Sequence, residues 1–121
     1  MNPKALFIAL SLTFIFSSCT NDSTNDLIDA TPVLGVVKYN QNVKSIIDAN
    51  CISCHGAVPT NGAPMSLVTY NQVKNAMLNN GLLDRISRQN GEIGVMPLGA
   101  PRLPQNSIDI VSQWSTDGLQ E

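Results

Sequence analysis

The positions of apolar side chains along this chain predict short helices rather than strands. From residue 39 onward, apolar residues recur at spacings of three and four, as they do on one face of an α-helix. The first such segment spans 39–50 and leads directly into Cys51. A second spans 69–79, with Gly81 as a stop signal, and a short turn of helix is expected over 82–88. No run of useful length alternates between apolar and polar residues, so the sequence predicts an all-α domain.

The last helix is expected over 105–117, with Asn106 as its N-cap and Gly118 at its C-terminal end. Glycine and proline are concentrated over 56–64 and over 91–104, which predicts two long loops. Three or four short helices joined by such loops make a weak bundle by themselves, because loops longer than about 12 residues are uncommon unless they serve a function. The pattern therefore indicates that something central organises the helices.

The N-terminal segment has the pattern of a secretory signal. Lys4 precedes an apolar-leaning run over 5–16, and small residues close the run before Cys19. Twelve residues rise only about 18 Å as a helix, which is short of a hydrocarbon core of roughly 30 Å. A signal peptide over 1–18 is therefore expected rather than a membrane-spanning anchor. Phe16-Ser-Ser-Cys19 resembles the lipobox of bacterial lipoproteins, in which the cysteine becomes the lipid-bearing first residue of the mature protein.

The residues that follow Cys19 predict a flexible tether. Thr-Asn-Asp occurs at 20–22 and again at 24–26, and the segment has few large apolar groups. Two or more acyl chains on Cys19 would attach the protein stably to a bilayer. The sequence thus predicts an exported, membrane-anchored lipoprotein that faces the periplasm or the cell surface. Its tether spans 19–37 and its folded domain spans 38–121.

Length and charge narrow the function classes. A chain of 121 residues holds one domain, and its formal charge of −2 lacks the positive field that binding to nucleic acid requires. All three phenylalanines lie in the first sixteen residues, which leaves the folded domain short of large apolar side chains. Such a small domain usually needs a disulfide, a metal or another prosthetic group to be stable.

Cys51-Ile52-Ser53-Cys54-His55 is the C-x-x-C-H sequence at which haem c is attached. The spacing has a chemical reason, because two thiols three positions apart add to the two vinyl groups on one edge of the porphyrin. The next residue then brings its imidazole to the iron. His55 is the only histidine, and Cys51 and Cys54 are the only cysteines outside the signal region. We therefore expect Cys51 and Cys54 to bind the haem covalently and His55 to be the proximal iron ligand.

Three other uses of these residues are weaker. A zinc site would have three ligands in the motif but no second C-x-x-C or distant histidine to complete a tetrahedron. A thioredoxin-like dithiol requires a βαβ context, which the helical pattern does not provide. A structural disulfide is compatible with an oxidising compartment but gives no role to the adjacent histidine.

An electron carrier needs a sixth iron ligand, and a methionine thioether, which is soft and neutral, favours Fe(II) and raises the potential. Met65, Met77 and Met96 are the internal candidates. Met96 is favoured because the glycines and proline of Gly94-Val-Met-Pro-Leu-Gly99 allow the backbone to lie close to a flat ring. Met77 lies in a helical stripe, where core packing is the ordinary role.

The order of these motifs over residues 38–118 resembles that of small monohaem class I cytochromes c. The resemblance implies three to four short helices wrapped around one covalent haem, with the first and last helices crossing. Val43 and either Ile46 or Ile47 should then meet Val111 and Trp114. It also implies that a loop carbonyl, at or near Pro59, accepts a hydrogen bond from His55 Nδ1.

The leading hypothesis is a membrane-tethered electron-transfer protein, not an enzyme, that passes single electrons between redox partner proteins. A second is a haem-based ligand-binding sensor or peroxidase-like protein whose sixth ligand is displaceable. The absence of another histidine excludes distal histidine catalysis in that case. A third is a haem-free exported lipoprotein with a Cys51–Cys54 disulfide.

Overall fold

A computed structural model describes residues 35–121, which contain four short α-helices and one π-helical turn. The elements follow in the order π-turn Tyr39–Val43, α1 Lys44–Asn50, α2 Tyr70–Asn79, α3 Leu82–Ser87 and α4 Gln105–Thr116. No strand occurs over this range, so the predicted all-α class is confirmed. The predicted signal peptide, Cys19 and the tether up to residue 34 lie outside the described residues. None of the helices described is long and apolar enough to cross a membrane.

Local signals set the limits of α2 and α3. The Thr69 side chain accepts a hydrogen bond from Gln72 N at 3.3 Å, while Gln72 Oε1 accepts one from Thr69 N at 3.0 Å. This capping box satisfies two backbone donors that the first turn of a helix leaves free. Gly81 has a left-handed φ of +65°, so it breaks the path of the chain and starts α3 in a new direction.

The start of α4 corrects one expectation. The helix begins at Gln105 as predicted, but the N-cap is Pro104 and not Asn106. Asn106 Oδ1 instead accepts a hydrogen bond from the adjacent Ser107 N at 2.7 Å. The fixed φ of Pro104 is compatible with a helix start, so the helix begins two residues earlier than an Asn106 cap would allow.

One apolar core joins all the helices. Val43, at the end of the π-turn, and Ile47, one turn later in α1, lie in the same core as Val111 and Trp114 of α4. The helix α4 packs against the π-turn Tyr39–Val43, and α3 packs against both α2 and α4. The other core members are Val37, Tyr39, Leu67, Val73, Ala76, Leu82, Ile86, Leu103, Ile108 and Leu119.

Aromatic contacts and hydrogen bonds connect the π-turn Tyr39–Val43 to α4 and to Gln120. The ring centroid of Tyr39 lies 5.7 Å from that of Trp114 and 5.5 Å from that of Tyr70. Trp114 Nε1 donates to Gln120 O at 2.8 Å, and Tyr39 N donates to the same carbonyl at 2.9 Å. One end of the first helical segment is thereby fixed, while its other end leads into Cys51.

Candidate functional site

The C-x-x-C-H segment is a single turn at the end of α1. Cys51 N donates to Ile47 O at 2.8 Å and so closes the last turn of the helix. Cys51 O then accepts two hydrogen bonds, from Cys54 N at 3.1 Å and from His55 N at 2.8 Å. This is the bonding of a helical turn, in which residues three apart share a face. The structure therefore brings all three predicted residues of the motif together on one short stretch of backbone.

Both thiols of the motif are free. Cys51 is half-buried and packs against the edge of the core. Burial disfavours the charged thiolate and raises the pKa of Cys51 to about 11, so this residue is a neutral thiol at pH 7. Over residues 35–121, no three His, Cys, Asp or Glu side chains are grouped in a way that could hold a metal ion by themselves.

His55 is held at two points by the segment that follows the post-motif loop. Its Nδ1 lies 2.8 Å from Met65 O, and its own backbone carbonyl accepts a hydrogen bond from Leu67 N at 2.8 Å. A carbonyl oxygen can only accept, so the proton of a neutral imidazole lies on Nδ1. Nε2 therefore keeps the lone pair with which a histidine binds a metal.

The carbonyl that holds the imidazole is Met65 O, which corrects the expectation of Pro59 or a close neighbour. Pro59 is exposed and lies in the loop between the motif and a tight turn at 60–63. This turn reverses the chain, and only the backbone after it passes beside the His55 imidazole. The acceptor is therefore a residue on the returning segment.

The three candidate methionines are all half-buried at the edge of the core. Their burial is the same, but each lies in a different setting. The carbonyl of Met65 is bound to His55 Nδ1, which places its backbone beside the part of the imidazole that points away from Nε2. Met77 lies within α2. Met96 lies in the loop over 91–104, and its backbone N–H donates to Arg85 O at 3.1 Å.

The side chains of Arg85 in α3 and of Arg88, the residue directly after α3, bind the loop that carries Met96. Arg85 Nη1 lies 3.4 Å from Gly94 O, and Arg88 Nη1 donates to Ile93 O. Arg88 also pairs with Asp84 through a 2.6 Å contact. These arginines therefore hold the two residues that come shortly before Met96, a role that sequence reasoning did not find.

Glycine at position 56 is required by the backbone around it. A Cβ atom at this position would lie 3.0 Å from Ile52 O, closer than such atoms normally approach. Because that oxygen belongs to the motif itself, a larger residue at 56 would displace the turn that carries Cys54 and His55.

The comparisons with family models, curated proteins and solved structures found no match to this chain.

Proposed function

We propose that this chain is a membrane-tethered electron-transfer protein with a cytochrome c-like fold, in which one covalent haem c passes single electrons between exported redox partners. The observation that carries the proposal is the bond between His55 Nδ1 and Met65 O. It leaves Nε2 available for iron, one residue after Cys54 and four after Cys51 in the same turn.

The donor set of the turn fits such a group. Two free thiols three residues apart are available for thioether bonds. The neutral imidazole has the tautomer that a metal ligand needs, and the hydrogen bond to Met65 O fixes this tautomer and the orientation of the ring. When bound, the haem supplies an iron that changes between Fe(II) and Fe(III) by one electron.

The chain's own residues would favour electron transfer over other chemistry. A thioether sulfur from Met96 would fill the sixth position and stabilise Fe(II). Because Cys51 packs against the edge of the core, a group held by the motif would be partly shielded from water there, which would raise the potential. An electron carrier transforms no substrate, so we propose that the protein is not an enzyme.

A lipid on Cys19 would keep the carrier at the membrane, where its partners would reside. Val37 is buried in the core, so the predicted tether would end before it; the remaining residues would span roughly 20 to 25 Å on average as flexible chain, which lets the domain reach more than one partner. Replacement of Cys19 by alanine should release the protein from the membrane fraction and leave its haem content unchanged. Retention of C19A in the membrane would contradict the anchor.

Covalent haem on the exported protein tests the proposal directly. The full chain is produced in a bacterial host with a cytochrome c maturation system and compared with the matched C51A/C54A variant. The wild-type chain should stain for haem on a denaturing gel, and its mass should rise by one haem, while the double variant should show neither. A wild-type chain whose two sulfurs are free, or joined to each other, contradicts the proposal and favours the haem-free lipoprotein.

Carbon monoxide separates the electron carrier from the ligand-binding sensor. A six-coordinate carrier should leave the spectrum of the reduced protein unchanged when carbon monoxide is added. Rapid and complete formation of a carbon monoxide complex would instead support a sensor or a peroxidase-like protein with a displaceable sixth ligand.

A further inference from the structure

A tight turn at Thr60–Ala63 lies against the motif. Ala63 N donates to Thr60 O at 2.9 Å, and both central residues are left-handed, with φ of +52° at Asn61 and +76° at Gly62. These angles and the Asn-Gly pair define a type I′ turn. Asparagine tolerates the left-handed region better than most residues, so this sequence suits the geometry.

Two hydrogen bonds of Thr60 join the turn to the motif. Thr60 N donates to Cys54 O at 2.8 Å, and Thr60 Oγ1 donates to Ser53 O at 3.2 Å. The backbone of the turn is thereby fixed relative to Cys54. This attachment brings Asn61 Nδ2 to 3.4 Å from Cys54 Sγ.

We propose that Asn61 is a positioning residue, which holds Cys54 Sγ in the rotamer from which it forms its thioether bond. This inference rests on the proposed function. In the reaction the Cys54 S–H adds across a haem vinyl group: sulfur bonds to the inner vinyl carbon, the proton goes to the terminal carbon, and no oxidant is required. The product sulfur carries no proton and can only accept a hydrogen bond. An amide N–H is therefore a partner that fits the sulfur both before and after the reaction.

The effect should be confined to Cys54. Cys51 is positioned differently, by the end of α1 and by packing against the core. A side chain like that of cysteine has three staggered rotamers, and a hydrogen bond worth about 1 kcal/mol favours one of them roughly fivefold. Loss of the bond should then lower the productive fraction, and with it the attachment rate at Cys54, about twofold.

Two variants separate the amide from the turn. Asn61→Gly keeps the left-handed backbone but removes the amide, and Asn61→Asp keeps the shape but replaces the donor with an acceptor. Asn71→Asp, at an exposed position of α2, is the matched control for the added charge. The full chain is matured in cells and sampled at short times after induction. Mass spectrometry of peptides then measures the thioether fraction at each cysteine.

We expect both Asn61 variants to show about twofold less thioether at Cys54, with Cys51 unchanged and N71D like the wild type. In the reduced wild-type holoprotein, the Asn61 side-chain amide should also exchange with solvent more slowly than that of Asn71. Wild-type attachment at Cys54 in N61G overturns the inference, as does an equal loss at both cysteines, because each assigns the effect to something other than the amide. A wild-type chain without any thioether overturns the proposed function as well, so the two failures are distinguishable.

Discussion

The replacement of Trp114 tests whether the contact between the first and last helices holds the fold together. Trp114 is fully buried, its ring contacts Tyr39 and Tyr70, and its Nε1 donates to Gln120 O at 2.8 Å. Truncation of a buried aromatic side chain to alanine costs about 3 to 5 kcal/mol. A folded unit of this size has a total stability of about 4 to 13 kcal/mol. We therefore expect W114A to lose a large part of this stability, with a fall of about 3 to 5 kcal/mol in its free energy of unfolding.

A second variant separates the ring from its hydrogen bond. Trp114→Phe keeps an aromatic ring in the core but removes the N–H donor and part of the volume. Gln120 O retains its bond from Tyr39 N, and Gln120 is exposed, so this carbonyl stays satisfied. Loss of the bond costs about 1 kcal/mol and loss of ring volume about as much again. The free energy of unfolding of W114F should fall by about 2 kcal/mol.

Urea denaturation followed by far-ultraviolet circular dichroism measures both variants. Tryptophan fluorescence is unsuitable because Trp114 is the only tryptophan in the chain. Ser115→Ala is the matched control, since it changes the adjacent, exposed position of α4. The slope of the free energy of unfolding against urea concentration should be the same for W114F, S115A and the wild type. A fall of less than about 1 kcal/mol in the free energy of unfolding of W114A would refute the reasoning, because removal of a fully buried aromatic side chain costs more than this.

Three further predictions concern the motif and its surroundings. Met96→Ala should abolish the thioether-to-iron charge-transfer band in the absorption spectrum of the oxidised protein, whereas Met65→Ala should keep it; persistence of the band in M96A would remove Met96 as the sixth ligand. In the haem-free chain, Cys51 has about a hundredfold less thiolate at pH 8 than a thiol of ordinary pKa 9.0, and because a more basic thiolate is more nucleophilic its alkylation should be about tenfold slower. The rate should rise with pH up to about 11, as peptide mass spectrometry would show. Gly56→Ala should lower the free energy of unfolding by about 1 to 3 kcal/mol in urea denaturation, because its Cβ meets Ile52 O, and an unchanged midpoint would contradict this requirement.

The helices were predictable because their signals are local. The apolar spacing over 69–79 gave α2 to within one residue, and the capping box of Thr69 and Gln72 explains why the helix begins where it does. The motif turn was predictable for the same reason, since its hydrogen bonds join residues no more than four apart.

The contacts made by returning segments were not predictable. The acceptor for His55 Nδ1 depends on where the chain passes after the Thr60–Ala63 turn, which no local pattern encodes. The Asn-Gly pair at 61–62 is the one signal that could have located the turn and hence the contact with Cys54. Likewise, Asn106 is a residue type that is common at N-caps, but α4 begins after Pro104 instead.

The support that α3 gives to the 91–104 loop has a consequence for how the protein would respond to poisons such as cyanide. If Met96 binds the iron, such a molecule would reach the metal only while the loop has moved away. That movement would break the iron–thioether bond, the bonds that Arg85 Nη1 and Arg88 Nη1 donate, and the bond that Met96 N donates to Arg85 O. Three hydrogen bonds of about 1 kcal/mol each would lower the open fraction roughly a hundredfold, in addition to the cost of breaking the iron–thioether bond. The apparent affinity for the poison would fall by the same factor as the open fraction. Part of this protection would then come from α3 and Arg88, in addition to that from the iron–thioether bond.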